Sequence, residues 1–147
     1  MAIDIYTDGS CKGTPGRGGW SFIALRGEEE LACKGGAESI TTNNAMELRA
    51  CIEALTWYFD AKMPPEEPVV IHSDSKYVIN GITLWIKKWE QNGWYTSTGD
   101  PVKNRVLWEK LDRYIKLSNK ISWEWVKGHN GDKYNELVDA LAKSMTN

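Results

Sequence analysis

The sequence predicts an α/β fold, in which helices flank a mixed five-stranded sheet of three antiparallel strands followed by parallel strands. Two β-rich runs on either side of a hairpin turn at 27–30 predict the antiparallel part. A long helix between two further strands predicts a parallel crossover. The length of 147 residues suits one domain, 1–147.

Each element follows from its periodicity and its flanking glycines or prolines. Alternating or β-branched runs predict strands at 3–7, 20–25, 31–37, 69–73 and 121–126. Apolar residues spaced by three and four predict helices at 42–61, in pieces within 75–118, and at 135–145. The glycines between residues 9 and 19 predict a turn-rich link.

Charge is distributed unevenly along the chain. The net charge is −2, yet residues 76–120 carry nine basic and four acidic side chains. A locally basic segment attracts phosphates, although a solvated helix face would look the same.

The three cysteines form no CxxC pair, which argues against a disulfide framework or a zinc site. Cys33 and Cys51 are expected in or near the core, and Cys11 in an exposed turn. No membrane span or signal peptide is evident, so we expect a cytoplasmic monomer without membrane contact.

Four acids stand in apolar settings. Asp8 and Asp74 follow predicted central strands, and Glu47 and Asp139 lie on or beside the apolar faces of helices. A buried carboxylate is costly unless it is paired or binds a metal. Converging oxygen ligands suit a hard cation such as Mg²⁺, and two such ions can hold a phosphodiester.

Each acid also has an ordinary structural explanation. Asp8 would precede a turn at Gly9, Asp74 would cap the next helix, Glu47 would form a capping box with Asn44, and Asp139 would be half exposed. These explanations are stronger for one acid than for all four together.

Four stretches resemble the type I ribonuclease H family. They are YTDGSCKGTPGRGGW (6–20), TTNNAMELRA (41–50), IHSDSKYVINGI (71–82) and WVKGHNGDKYNELVDALA (125–142). Their order and spacing match along essentially the whole chain. The resemblance implies a ribonuclease H-like fold and a phosphodiester hydrolase that cuts the RNA strand of RNA–DNA hybrids, leaving 5′-phosphate and 3′-hydroxyl ends.

The resemblance also implies a catalytic set. It assigns the metal ligands to Asp8, Glu47, Asp74 and Asp139, with two Mg²⁺ ions per site and Mn²⁺ as a substitute. Asp8 is expected to bridge the ions, and His129, in a glycine-flanked loop, to relay a proton or ease product release; an ordinary exposed loop histidine is the alternative.

By the same resemblance, the hybrid contacts two surfaces, of which one is a handle-like segment at about 81–105. Trp85, Lys87, Lys88 and Lys103 are expected to contact the DNA strand. The RNA strand is expected to meet residues near the acids: Gly9, Ser10, Cys11, Asn43 and Asn44. Three positions depart from the family pattern, Thr14, Ala45 and Lys76, and the handle run 91–100 has no lysine.

Three other functions remain open from the residues alone. A binding module that has lost catalysis would lack one of the acids, and none is missing. A carbohydrate hydrolase with paired acids would work without divalent metal. An integrase or transposase nuclease would act on DNA.

Overall fold

The computed structural model describes residues 2–128 and 131–147. The strands are β1 (Ile3–Gly13), β2 (Gly16–Arg26), β3 (Glu29–Thr41), β4 (Val69–Ser73) and β5 (Ile121–Trp125). The α-helices are α1 (Asn43–Asp60), α2 (Lys76–Asn80), α3 (Ile86–Gln91), α4 (Arg105–Lys116) and α5 (Lys133–Ser144), and a π-helical segment, Gly81–Trp85, joins α2 to α3.

The five strands form one sheet in the order β3-β2-β1-β4-β5. Strands β1, β2 and β3 pair antiparallel, whereas β4 pairs parallel with both β1 and β5. This confirms the predicted mixed five-stranded sheet. It makes β1 the central strand, bordered by an antiparallel neighbour on one side and a parallel neighbour on the other.

The predicted turn-rich link between residues 9 and 19 is wrong, because most of it is strand. β1 continues to Gly13 and β2 begins at Gly16. The glycines serve close packing instead: a β-carbon on Gly9 would overlap the backbone of α1 at Glu47, and one on Gly19 would overlap the backbone of α5. The absence of a side chain on β1 at Gly9 and on β2 at Gly19 allows α1 and α5 to pack this closely against the sheet.

The main core lies between the sheet and the helices α1 and α4. Helix α1 begins after Thr42, whose hydroxyl accepts a hydrogen bond from Ala45 N at 3.2 Å. Cys51 is buried on this helix, as expected. Cys33 is exposed rather than near the core, because it lies on the edge strand β3, of which no residue is fully buried.

An aromatic cluster supports the segment between α2 and α4. Trp89 lies 5.7 Å from Trp85, 6.1 Å from Trp94 and 5.4 Å from Trp108, measured between ring centroids. Trp108 is fully buried, and Trp89 and Trp94 pack against the core. The handle-like segment is therefore anchored to α4 through tilted and edge-on contacts between indoles.

Candidate active site

Asp8 and Asp74 are brought together by the parallel pairing of β1 with β4. Thr7 pairs with Ser73, so the two residues that follow them lie at the same end of the sheet. β4 ends at Ser73 and the chain turns away, whereas β1 continues. Asp8 is therefore held inside the sheet, and Asp74 approaches it from a strand end, where sites form in α/β proteins.

Glu47 reaches the same point from the first turns of α1. Its Oε1 atom accepts a hydrogen bond from Gly9 N at 2.7 Å. The contact depends on the missing side chain at position 9, because a β-carbon there would collide with the backbone of α1. The missing side chain at Gly9 therefore lets α1 pack closely enough to β1 for Glu47 to reach the site.

The three carboxylates form a compact group of oxygen ligands. One ligand oxygen each from Asp8, Glu47 and Asp74 lies within 4.8 Å of the others. Asp8 is 2% exposed and Glu47 is 6% exposed. None of the three forms an ion pair with a basic side chain of residues 2–128 or 131–147.

Burial and mutual repulsion raise the pKa values of the two deepest acids. The pKa of Asp8 is raised from 3.8 to about 8, first by burial and then by the charge of Asp74. Burial, followed by the charges of Asp8 and Asp74, raises the pKa of Glu47 well above its ordinary value, and the Gly9 hydrogen bond opposes this. Such a group is stabilised by a cation.

The buried Oδ2 atom of Asp8 has no hydrogen-bond partner among the described residues. A buried polar atom without a partner costs free energy, so this oxygen is suited to a ligand that the protein itself does not supply. An all-oxygen set favours a hard divalent cation over zinc or copper. The residues present therefore fit Mg²⁺ or Mn²⁺.

Asp139 lies at the edge of this group. Its carboxylate is close enough to Asp8 to help raise the pKa of Asp8, after burial and the charge of Asp74. It lies outside the three-residue group of ligand oxygens, and its Oδ2 pairs with Lys143 Nζ at 3.1 Å. Its side chain is 23% exposed, which is less than the half exposure that the ordinary explanation expects.

The ordinary explanations for the other three acids are wrong. No turn follows Asp8, because β1 continues through it. Ser75, rather than Asp74, caps α2, since its hydroxyl accepts from Val78 N at 3.2 Å. Glu47 bonds to Gly9, and the cap of α1 is Thr42.

His129 lies outside the described residues. Its neighbour Gly128 does approach the acids, because a β-carbon there would lie 3.3 Å from Asp74 Oδ2. Two residues before Gly128, Val126 N donates a hydrogen bond to Ser73 O at 2.9 Å, which holds this segment beside the end of β4. The chain that leads to His129 thus passes beside Asp74.

The residues expected to contact RNA lie around the acids. Gly9, Ser10 and Cys11 continue along β1, and Asn43 and Asn44 are exposed at the start of α1. Cys11 is half-buried rather than in an exposed turn. Its Sγ donates to the carbonyl groups of Gly16 and Thr41, at 3.4 and 3.3 Å.

The residues expected to contact DNA belong to the handle-like segment instead. Lys87, Lys88 and Lys103 are exposed, and Trp85 is half-buried. Trp85 and Lys88 line a surface groove of about 350 Å³ together with Tyr95, and Lys103 lines a neighbouring groove of about 310 Å³. The sequence did not single out Tyr95, which is 46% exposed.

Sequence reasoning also missed a contact beside Asp74. Trp125 Nε1 donates to Asp74 O at 3.3 Å, and Lys76 Nζ lies 5.1 Å from the centre of the Trp125 ring. The sequence indicates only that Lys76 lies near Asp74, since it follows Asp74 by two residues. Only the pairing of β4 with β5 brings the tryptophan to it.

Among the helices in the described part of the chain, none has the length and apolar composition of a membrane span.

Comparisons with known proteins agree with this architecture. The family model described as RNase H matches residues 1–147. A ribonuclease H of Saccharopolyspora erythraea is 50% identical over 96% of this chain and 88% of its own length. A ribonuclease H of Janthinobacterium sp. strain Marseille is 52% identical over 95% of this chain and 92% of its own length.

Solved structures share the fold. LC9-RNase H1, a type 1 RNase H with the type 2 active-site motif, has a TM-score of 0.84 and 30% identity, covering 99% of this chain and 72% of its own. A foamy viral protease-reverse transcriptase in complex with RNA/DNA hybrid has a TM-score of 0.85 and 21% identity, covering 99% of this chain and 20% of its own. The second likeness shows the fold alone. With the full-length family match and the close relatives, the chain belongs to the ribonuclease H family of nucleases, as a type I member.

Proposed function

We propose that this chain hydrolyses the RNA strand of RNA–DNA hybrids with two divalent cations, Mg²⁺ or its substitute Mn²⁺, and leaves 5′-phosphate and 3′-hydroxyl ends. The observation that carries the proposal is the group formed by Asp8, Glu47 and Asp74, whose oxygens converge within 4.8 Å. The unpartnered Oδ2 of Asp8 supports it, because it is a buried ligand atom without an internal role.

The four acids divide into two sets around Asp8. Glu47 and Asp74 would hold one cation with Asp8, and Asp139 would hold the second with Asp8. Bound cations would supply an activated water and a charge that stabilises the leaving 3′-oxygen. The Gly9 hydrogen bond orients Glu47, and the Lys143 ion pair orients Asp139, so both carboxylates are restrained before a cation arrives.

His129 is proposed to assist proton transfer or product departure. The approach of Gly128 to Asp74 supports this role, because it brings the preceding segment of chain to the acids. Replacing His129 with Ala should lower turnover and leave hybrid affinity unchanged. Equal loss in affinity and in turnover would contradict the role.

The hybrid is proposed to lie across both surfaces described above. Backbone at Gly9, Ser10 and Cys11, with Asn43 and Asn44, would read the minor groove and the 2′-hydroxyls that distinguish RNA from DNA. Trp85 with Lys87, Lys88 and Lys103 would hold the DNA backbone. Phosphate contacts of this kind set affinity without base specificity.

The decisive experiment uses a labelled RNA–DNA hybrid, with duplex DNA and duplex RNA of the same sequence as controls. With Mg²⁺ we expect cleavage of only the RNA strand of the hybrid, and none with EDTA. Ligation or phosphatase treatment of the products identifies their ends. Cleavage in EDTA would contradict the metal requirement, and cleavage of duplex DNA would favour an integrase-like nuclease.

The single-domain organisation and the monomeric state stay predictions. Sedimentation of the purified chain at several concentrations tests the second, since a monomer keeps a constant mass.

A further inference from the structure

Ser21 joins strand β2 to helix α5 through one buried hydrogen bond. Its Oγ atom donates to Val138 O at 2.6 Å, and neither residue is exposed to solvent. Val138 lies in the middle of α5 and directly precedes Asp139. The hydrogen bond therefore fixes the backbone of α5 at the residue next to a proposed cation ligand.

The same serine is paired with Asp8 within the sheet. Asp8 and Ser21 lie directly opposite each other in the antiparallel pairing of β1 with β2. Opposite residues of such a pair project to the same face of the sheet, with their β-carbons about 4.5–5.5 Å apart. One hydroxyl group therefore lies beside Asp8 and also holds the backbone next to Asp139, so it relates the positions of two proposed ligands.

Apolar contacts surround this hydrogen bond. Ile23, two residues further along β2, packs in one cluster with Val138. Apolar contacts are non-directional, so they constrain the position of a helix less sharply than a short buried hydrogen bond does. The helix can come this close because a β-carbon on Gly19 would overlap Ala142 O. Gly19 thus permits the approach of α5, and Ser21 fixes the position at which it stops.

The carboxylate of Asp139 needs such a restraint. Its ion pair with Lys143, at 3.1 Å, lies within α5 and orients the carboxylate relative to the helix but not relative to the sheet. Asp8 belongs to the central strand of the sheet. A cation bound by both carboxylates needs their oxygens at a defined separation, because Mg²⁺ requires ligand distances of about 2.0–2.1 Å in a near-octahedral arrangement.

We propose that Ser21 is a positioning residue for the second cation: its hydroxyl sets the position of α5 relative to β1, so that Asp139 and Asp8 bind the same ion. This inference rests on the proposed two-cation cleavage of hybrids and names a further residue for it. Ser21 is fully buried and acts only through Val138 and the helix. Its loss should therefore weaken one cation and leave the other, held by the group of three acids, unchanged.

Binding of Mn²⁺ tests this inference without turnover. Free Mn²⁺ is measured by electron paramagnetic resonance while Mn²⁺ is added to the protein bound to a non-hydrolysable hybrid. The wild type should bind two ions, and Ser21→Ala should weaken one of them by about tenfold, as expected for a residue that orients a metal ligand. Asp139→Asn should weaken one ion more strongly. The double variant should lose little more than Asp139→Asn alone, because Ser21 acts through Asp139.

Two control variants separate positioning from ordinary destabilisation. Ile23→Val trims a side chain in the apolar cluster around Val138, and Ser144→Ala removes a hydroxyl that donates to Leu141 O at 2.6 Å within α5. Ser21→Ala and Ile23→Val should both lower the Tm by about 2–5 °C. Of these three variants, only Ser21→Ala should weaken the binding of Mn²⁺.

The dependence of cleavage on Mg²⁺ provides a second readout. Ser21→Ala should need more Mg²⁺ for half-maximal cleavage, by up to about tenfold, and its KM for the hybrid should not change. At saturating Mg²⁺ it should regain most of the wild-type kcat, because all four acids are retained. A loss of kcat that persists at saturating Mg²⁺ would overturn the positioning role.

The outcomes distinguish this inference from the proposed function. A wild type that binds two Mn²⁺ ions and cuts the hybrid, with unchanged Mn²⁺ affinities in Ser21→Ala, would overturn the inference and leave the proposed function standing. Equal weakening in Ile23→Val, or fully additive losses in the double variant, would also overturn it. A wild type that binds fewer than two Mn²⁺ ions with the hybrid would overturn both.

Discussion

The acid group and the handle-like segment carry opposite charge in opposite surroundings. Asp8 and Glu47 are buried, and their pKa values are raised by burial and by one another. Lys87, Lys88 and Lys103 are exposed on a surface supported by a cluster of indoles in mutual contact. The first region concentrates charge at a cost in stability, and the second spreads charge where water screens it.

This difference indicates how each region should respond to substitution. Replacing one of the buried acids should greatly lower turnover. It should also stabilise the metal-free protein, because the acids repel one another. Exposed lysines should matter modestly for affinity and hardly at all for stability.

The largest effect is expected from Asp8→Asn. The central ligand atom is lost while the volume of the side chain is kept, so turnover should fall by about 10³-fold or more, on the order of several kcal/mol of transition-state stabilisation. Cleavage of the hybrid and far-ultraviolet circular dichroism are measured together. Full activity in a folded variant would remove Asp8 from the site.

The aromatic cluster should divide into a structural and a binding part. Trp89 contacts Trp85, Trp94 and Trp108, so Trp89→Ala should lower the free energy of unfolding by about 2–4 kcal/mol. Trp85→Ala should cost less stability and weaken hybrid binding more. Denaturant unfolding and hybrid titration of both variants measure the two effects. A larger loss of stability in Trp85→Ala and a larger loss of affinity in Trp89→Ala would contradict the assignment.

Without metal, Asp8→Asn should be more stable than the wild type near pH 7, by roughly 1–3 kcal/mol. The pKa of Asp8 is about 8 in the folded chain against an ordinary 3.8, so the folded state holds the proton more tightly. The contribution of Asp8 to stability is therefore fully present below pH 4. It is lost as pH rises toward 8.

Thermal unfolding of both proteins from pH 4 to pH 8 in EDTA measures this difference. The gap between wild type and Asp8→Asn should widen as pH rises. Adding Mg²⁺ should raise the Tm of the wild type and have less effect on the variant, since a bound cation relieves the repulsion. A gap that is constant with pH would contradict the shifted pKa.

The smallest effect is expected from the handle lysines. Replacing Lys87 and Lys88 with Ala should raise KM several-fold and reduce the salt slope by roughly 1.5–2, one contact for each lysine. Lys34→Ala, at an exposed position of the edge strand β3, is the control. An unchanged slope would remove both lysines from the interface.

The sequence predicts the sheet well because its strands differ in pattern. The alternating run at residues 3–7 and the β-branched run at 69–73 identify a central and a buried strand, and the order of elements predicts a parallel pair. The extension of β1 beyond Thr7 was missed, since glycine marks turns in local patterns. Here it marks the close approach of a helix to the strand.

Part of the candidate site is likewise visible in the sequence. Acids in apolar runs identify Asp8, Asp74 and Glu47 because such positions are costly without a purpose. The ion pair of Asp139 with Lys143 and the contact of Lys76 with Trp125 were not predicted. The second depends on β5 lying beside β4, which no local pattern specifies.

Anomalous diffraction can locate the divalent cations that the four acids are proposed to hold against the hybrid. Crystals of Asp8→Asn and wild type with a non-hydrolysable hybrid are soaked in Mn²⁺. We expect two anomalous peaks in the wild type, bonded to oxygens of Asp8, Glu47, Asp74 and Asp139, and the loss of at least one of them in the variant. A wild-type complex with Mn²⁺ bound only elsewhere would contradict it.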